Sequence, residues 1–572
     1  PAGAPMPNLE RLAAEGIRFT RTFSNAPVCS PARSALISGV YGPRIGAQFH
    51  RRAQPVSLPE GLRLYPWYLR EAGYYVSNNV KTDYNFEGNP WNESSATATW
   101  RKRAPGQPFF HVQNHTTTHE HRLHFPTEDI GRVRTETDPA TVQLLPQHPD
   151  TPLFRYTYAR LHDQHRVLDR EIGELLARLD ADGLRDNTII FYFGDNGGVV
   201  PGTKGYLSEV GLNVPLIVWF PERWRHLAPA QAGSAVEGFV SFVDFAPTLL
   251  NLLGLPIPAV MDGRPFLGTG VERAELDRRN EALGHADRFD EKHGFSRSLR
   301  QGDLKYVRNY LPFIPDALRN NYRSRTAAYG EWQALYRAGK LNAVQARFFE
   351  PKAAEELYDL AADPYETTNL AADPAHRETL LRLRARLRER LLALPDLSFI
   401  PEPVFLEQGR ENPLRYGESQ RATIARLMDI ADLPLQPAAE ARERLKAALV
   451  HGDTLDRYWA LIAASALGRE AESLAPDVRA LRAESADPLV ALRAAEFLAL
   501  VAGEDARPVL TRCLRQARSA IEASLILNTA VLLADHYGQP RLAVDPTWFP
   551  AAWRTDPALK PRLDYLAEPA QP

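Results

Sequence analysis

Cysteine is nearly absent: 572 residues hold only Cys29 and Cys513, so no disulfide framework supports this chain. No uninterrupted apolar run reaches the 18 or so residues that span a bilayer. An excess of one charge is lacking too. Lys plus Arg number 68 and Asp plus Glu 70, a net charge of -2, and no long one-sign run draws in nucleic acid or an anionic membrane. A polyanionic partner must therefore be met by a local pocket. The chain opens on Pro1 with no charged-then-apolar leader and runs straight into the helix-like Asn8-Leu9-Glu10-Arg11-Leu12-Ala13, so its natural beginning is expected upstream.

What is present is ordinary globular composition, 44% hydrophobic and 24% charged. The length suggests roughly three or four domains, or one large enzyme domain with additions. Residues 188–193 and 214–220 are apolar on both faces, which predicts strands in the middle of a sheet. Residues 160–179 repeat apolar positions at helical spacing and lead by a short Asp/Gly turn into the first of these strands, an α/β order. A Pro- and Glu-rich break spans 396–413, and beyond it the pattern is helical.

In that tail Gly468, Gly503 and Gly538 lie 35 residues apart, with Ala464, Ala499 and Ala534, and Ala460, Ala495 and Ala530, in register before them. Small residues at fixed positions let helices stack closely, so residues 415–545 are expected to form helical-hairpin repeats resembling HEAT repeats, the alternative being a plain bundle. Residues 546–572 are left as a tail. The repeats carry no visible chemistry and are expected to pack on the rest of the chain or to offer a protein contact.

The chemistry lies in the first half. Pro7-Asn8-Leu9-Glu10-Arg11-Leu12 is followed by Cys29-Ser30-Pro31-Ala32-Arg33 and by Leu36-Ile37-Ser38-Gly39. Downstream come Asn79-Val80-Lys81, the run Pro108 to Asn114 ending in His115-Thr116-Thr117-Thr118-His119, then Phe193-Gly194-Asp195-Asn196-Gly197-Gly198 and Gly202-Thr203-Lys204-Gly205. In order and spacing this passage resembles the sulfatase family, and weaker agreement at 243–250, 297–306 and 356–366 extends the likeness over about residues 7–395.

The resemblance implies an alkaline-phosphatase-like central sheet flanked by helices over 1–290, with the first strand missing, a small α+β subdomain over 291–400, and then the helical repeats. It implies that Cys29 is oxidised to formylglycine by a formylglycine-generating or equivalent maturation enzyme. Such a residue offers two oxygens on one carbon, which can take sulfate and then expel it. Arg33, four residues on along a helix, would grip the diol and sulfate with its guanidinium fork. Lys81 and Lys204 would hold the sulfate, and His119 would protonate the departing alcohol.

Asp195 and Asn196, with modified Cys29, would ligate one Ca2+. The family's two further aspartates belong to a strand upstream of residue 7, which leaves a fragment and an inactive variant as rival explanations. Asp83 stands where the family commonly has His, so the base that reopens the diol is undetermined. Asp83, Tyr84, Asn85, His121 and Arg122, with Trp91, are candidate substrate contacts. The crowding of His111, His115, His119, His121 and His124 admits a rival transition-metal site.

The implied function is hydrolysis of a sulfate ester, or of an N-sulfate as in an N-sulfoglucosamine sulfohydrolase, on a sugar or polysaccharide. The expected location is the periplasm or the exterior. A phosphonate monoester or phosphodiester hydrolase on the same scaffold, and a non-catalytic binding protein, are the alternatives.

Overall fold

The computed structural model describes residues 3–568, so Pro1 and Ala2 at the start and the last four residues of the 546–572 tail lie outside the described residues. Helix α1 (Pro7–Glu15) begins with proline at its first position, where the missing N–H costs nothing. Its Leu9 and Leu12 pack on the long helix α4 (Pro152–Ala181), and Asp169 of α4 accepts from the backbone of Asn8 and Leu9 at 3.2 and 3.0 Å. Helix α4 starts eight residues before the periodicity predicts. Thr151 caps it by accepting from Phe154 N, and Leu153, Phe154 and Tyr156 join a separate aromatic core around Trp332.

Strand β1 (Ile17–Phe23) is the axis of the main sheet and leads into helix α2 (Cys29–Ser38), which is buried along almost its whole length and stops at Gly39, φ 73°. Helix α3 (Tyr65–Glu71) precedes β2 (Tyr75–Asn79), which lies parallel to both β3 (Glu93–Ser95) and β4 (Phe109–Val112). The main sheet runs β5 (Ile190–Phe193), β6 (Asn213–Trp219), β1, β7 (Ala235–Val236), with β8 (Val240–Ser241) also on β1. Strand β6 is antiparallel to both its neighbours, so the sheet is mixed. The architecture is thus α/β, a central sheet flanked by helices.

One expectation is corrected here. The run at 188–193 does not sit mid-sheet: among the described residues β5 is an edge strand, half-exposed throughout, and β4 is the matching half-exposed edge of the three-stranded sheet. An apolar run records burial of faces and says nothing about whether both edges are paired.

The second sheet is antiparallel, in the order β12 (Glu355–Asp359), β11 (Leu304–Asn309), β10 (Ser296–Gln301), β9 (Glu281–Ala286). Because β9 pairs with β10, this sheet begins at Glu281. Leu380, Leu383, Leu387 and Leu391 of the helix Arg377–Ala393 pack in its core. The texture break at 396–413 is not a break in packing. One hydrophobic core runs from Phe49 through Leu299, Leu357 and Phe399 to Trp459, Leu527 and Leu559.

Gly468, Gly503 and Gly538 take φ of 60°, 68° and 68° just after the helices Thr454–Leu467, Pro488–Ala502 and Ala520–His536, a backbone conformation that a Cβ disfavours. Ala460 and Ala495 are buried in the stack. No helix among the described residues is long and apolar enough to cross a membrane.

Candidate active site

Four chain segments converge at the N-terminus of α2. Cys29 is its first residue, buried, with Sγ 3.2 Å from Asn196 Oδ1 and 3.3 Å from Lys81 Nζ. Lys81 follows the end of β2, and its ammonium also donates to Asp195 Oδ2 at 2.9 Å. Asp195 and Asn196 follow β5. Lys204 is set by the turn after it: Gly205 has φ 88°, donates to Pro27 O at 2.7 Å, and a Cβ there would lie 2.8 Å from Phe289. The Lys204 ammonium is buried, and no described residue offers it a hydrogen bond or an ion pair within reach.

Three cations thus surround one carboxylate. For Asp195, burial alone would raise its proton affinity, but Lys81, Arg33 and Lys204 outweigh that and hold the carboxyl well below the usual range. Burial likewise works against the Lys81 ammonium, yet Cys29 and Asp195 hold it above its ordinary value. For Lys204, burial is again outweighed, by Cys29, Glu120 and Asp195. A surplus of buried positive charge beside a helix N-terminus is an anion trap.

Arg33 departs from its expected role. Its Nε donates to Thr82 O at 2.9 Å, Nη2 to Lys81 O at 2.8 Å and Asn114 Oδ1 at 3.0 Å, and Nη1 to Asp195 Oδ2 at 3.4 Å. These bonds commit four of the five N–H donors of a guanidinium. Arg33 therefore fixes the 81–82 loop and the end of β4 rather than offering a free fork. Asn114, which the sequence alone did not single out, completes this clamp by donating to Asn78 Oδ1 and Asn79 O, both at 2.9 Å.

His119 sits at the start of the turn 120–123, with Nδ1 2.8 Å from Nδ1 of His121. Burial first, then Lys204 and Lys81, push its imidazole down to about 3. The histidines do not form a metal cluster. His111 Nδ1 meets Ser77 Oγ at 2.9 Å, His115 Nδ1 meets Glu171 at 2.8 Å, and His124 lies against Tyr322.

Of the candidate substrate contacts, Asn85 is excluded. It is buried, donates to Ala47 O and Phe49 O at 2.7 and 2.8 Å, and accepts from Ser30 Oγ at 2.7 Å. Both N–H donors of its amide are thereby spent inside the core. Trp91 is likewise a core residue, stacked on Phe110. Tyr84 lies under the Arg33 guanidinium, 5.9 Å from its ring centroid. Asp83, at φ 57°, is half-buried, while His121 and Arg122 are exposed.

Calcium requires six to eight oxygen ligands. Asp195 and Asn196 supply side-chain oxygens here, but Asp195 Oδ2 is already bound by Lys81 and Arg33, and Asn196 Oδ1 faces Cys29 Sγ. No group of three or more His, Cys, Asp or Glu able to hold a metal occurs among the described residues. Asp195 and Asn196 are hard oxygen donors of the kind calcium takes, but with Cys29 they supply only part of the shell it needs.

The Sulfatase family model matches residues 2–255. An ulvan-active sulfatase of Formosa agariphila is 34% identical over 441 residues, which cover 69% of this chain and 72% of the relative. The N-sulphoglucosamine sulphohydrolase of Homo sapiens is 24% identical over 434 residues, covering 67% and 84%. A solved structure from work on the metabolism of multiple glycosaminoglycans by Bacteroides thetaiotaomicron aligns with TM-score 0.50 and 17% identity, over 71% of this chain and 92% of that one. That last likeness concerns the fold alone.

Proposed function

The chain belongs to the sulfatase family, and from that premise we propose that it removes sulfate from a sulfated sugar or polysaccharide, with Cys29 carried as formylglycine. The observation that carries this reading is the buried cationic pocket at the first residue of α2, where Lys81, Lys204 and Cys29 face one another. The named activities of the relatives support the substrate class.

In this reading the sulfate ester enters against the Lys81 and Lys204 ammonium groups. The formylglycine hydrate supplies an oxygen nucleophile on a carbon that can later release sulfate. The chain's own residues supply the rest. The α2 N-terminus favours the anion, and the Arg33–Asn114 clamp keeps Lys81 aimed inward. His119 delivers a proton to the departing alcohol oxygen, and Asn196 faces the nucleophile. A polymeric substrate cannot cross a membrane, so export to the periplasm or exterior belongs to the same reading.

The test uses protein co-expressed with a formylglycine-generating enzyme. Mass spectrometry of the peptide Thr22 to Arg33 reads the state of Cys29, and sulfate release is followed from sulfated polysaccharides, from an aryl sulfate and from an aryl phosphodiester. Formylglycine at Cys29 together with sulfate release that Cys29→Ala abolishes supports the proposal. Faster turnover of the phosphodiester transfers the site to phosphoryl chemistry. An unmodified thiol in an inactive protein leaves a binding function.

A further inference from the structure

Beside the site, residues 50–51 and 288–290 form a second rim that the proposed chemistry does not use. Arg288 is buried and builds it. Its guanidinium donates to Arg51 O at 2.8 Å, His50 O at 3.2 Å and Asp290 O at 2.7 Å, and is held by both oxygens of Glu402 at 2.7 and 2.8 Å. In return His50 N donates to Arg288 O at 2.9 Å. The backbone of Arg51 is thereby fixed from below.

Its head group is not. The Arg51 side chain is 65% exposed, its guanidinium makes no hydrogen bond to any described residue, and of the two carboxylates whose charge it meets, Asp83 and Asp290, the nearer, Asp83 Oδ1, stands 3.9 Å from Nε, beyond hydrogen-bond length. The neighbouring Arg52 differs: its guanidinium is tied to the carbonyls of Tyr84 and Phe86.

The position is at the mouth. Asp83 is two residues after Lys81, whose ammonium touches Cys29 Sγ, and Arg33 pins the carbonyl of Thr82 between them. The buried His50 imidazole, next in the chain, is held well below its usual range by burial and then by Lys204 and Arg51, so both cations are close to it. Asp83 and Asp290, the two carboxylates that meet Arg51, both take positive φ, 57° and 50°, a conformation uncommon for non-glycine residues.

We propose that Arg51 is a second oxyanion-binding point, gripping a carboxylate or a further sulfate of the same glycan while the scissile sulfate lies against Lys81 and Lys204; this rests on the sulfatase reading above. A planar fork matches either group in bidentate fashion, and with the backbone already pinned only side-chain freedom is lost on binding.

The test compares the parent with Arg51→Ala and Arg51→Lys on four substrates: an aryl monosulfate, a sulfated disaccharide with a uronate carboxylate, its methyl ester, and a disaccharide with a second sulfate. The alanine variant should raise KM about tenfold on substrates bearing the second anionic group and leave kcat within about twofold. The lysine variant, a point charge without the fork, should fall between. KM for the aryl monosulfate and the methyl ester should not move. Whichever disaccharide loses affinity identifies the group. Equal changes on all four substrates, or none on either charged disaccharide, overturn the proposal. Should the parent hydrolyse no sulfate ester, the enzymatic reading fails on its own, and Arg51 is then read by calorimetric titration of the charged disaccharides into Cys29→Ala with and without Arg51→Ala. About tenfold weaker binding sustains it, and equal Kd overturns it.

Discussion

His119 must carry a proton to serve as the acid, yet in the free protein its imidazole is pushed down to about 3 by burial and by Lys204 and Lys81. At pH 7 that leaves roughly one ring in ten thousand protonated, a deficit of about 5 kcal/mol. The remedy lies in the substrate. A bound sulfate ester neutralises the field of the same two ammonium groups, and a unit anion about 5 Å from the ring at an effective dielectric of about 20 returns about 3 kcal/mol, or somewhat over two pKa units.

In the complex the ring should therefore titrate at about 5 to 6, the sum of the free value and that gain. For a sugar sulfate, whose alkoxide leaves poorly, kcat should fall about tenfold per pH unit above that point. An aryl sulfate, whose phenolate leaves unaided, should show little of this limb. His119→Gln should lower kcat on the sugar sulfate by about a hundredfold or more, flatten the profile, and spare the aryl substrate. The assay is kcat against pH from 4.5 to 8.5 on both substrates. A sugar-sulfate kcat that stays flat from pH 5 to 8, or a His119→Gln loss equal on both substrates, would refute the reasoning.

Three further outcomes are expected. Asp195 is held below the usual carboxylate range in the folded state, so its contribution to stability is present above the unfolded pKa of about 4 and is lost as pH falls through the lower folded value. Asp195→Asn should cost about 3 kcal/mol at pH 7, and the difference from the parent in urea midpoints should shrink as pH drops below about 4. Asn85→Ala strands the Ser30 hydroxyl and the carbonyls of Ala47 and Phe49, so it should lower stability by about 3 kcal/mol in urea unfolding while leaving KM for sulfated sugars unchanged. Arg297, buried, is held by Asp396 at 2.6 Å and by Asp287 at 3.1 Å; Asp396→Ala should cost about 3 kcal/mol and shift a single transition seen alike by tryptophan fluorescence and circular dichroism.

The pocket's members were legible because each rides on a short local pattern: a cysteine opening a helix, a lysine after a strand, an Asp-Asn pair after another. The structure brings those distant patterns to within about 3 Å of one another at Cys29. What resisted reading was each side chain's partner. Arg33 has the right place for gripping sulfate, but its donors are taken by the carbonyls of Lys81 and Thr82, and no residue code advertises a carbonyl. Asn85 sits among plausible sugar contacts and is a buried brace. Arg51, inside the run His50-Arg51-Arg52, is indistinguishable in sequence from its neighbour, and only the packing separates the pinned arginine from the free one. Strand β5 looked central since a sheet's edge differs from its middle in hydrogen bonding, which hydrophobicity does not encode.

The hydrophobic core that runs from Phe49 to Leu559 also sets a clock. Cys29 leaves the ribosome early, whereas Asp195, Asn196 and Lys204 emerge later and the last helices of the shared core later still. At about 5 to 20 residues per second, roughly half a minute to two minutes separate the appearance of this thiol from completion of the core. Once folded, its side chain is walled in by Lys81 and Asn196 and the residue is only 2% exposed. Any enzyme that converts it competes with folding itself.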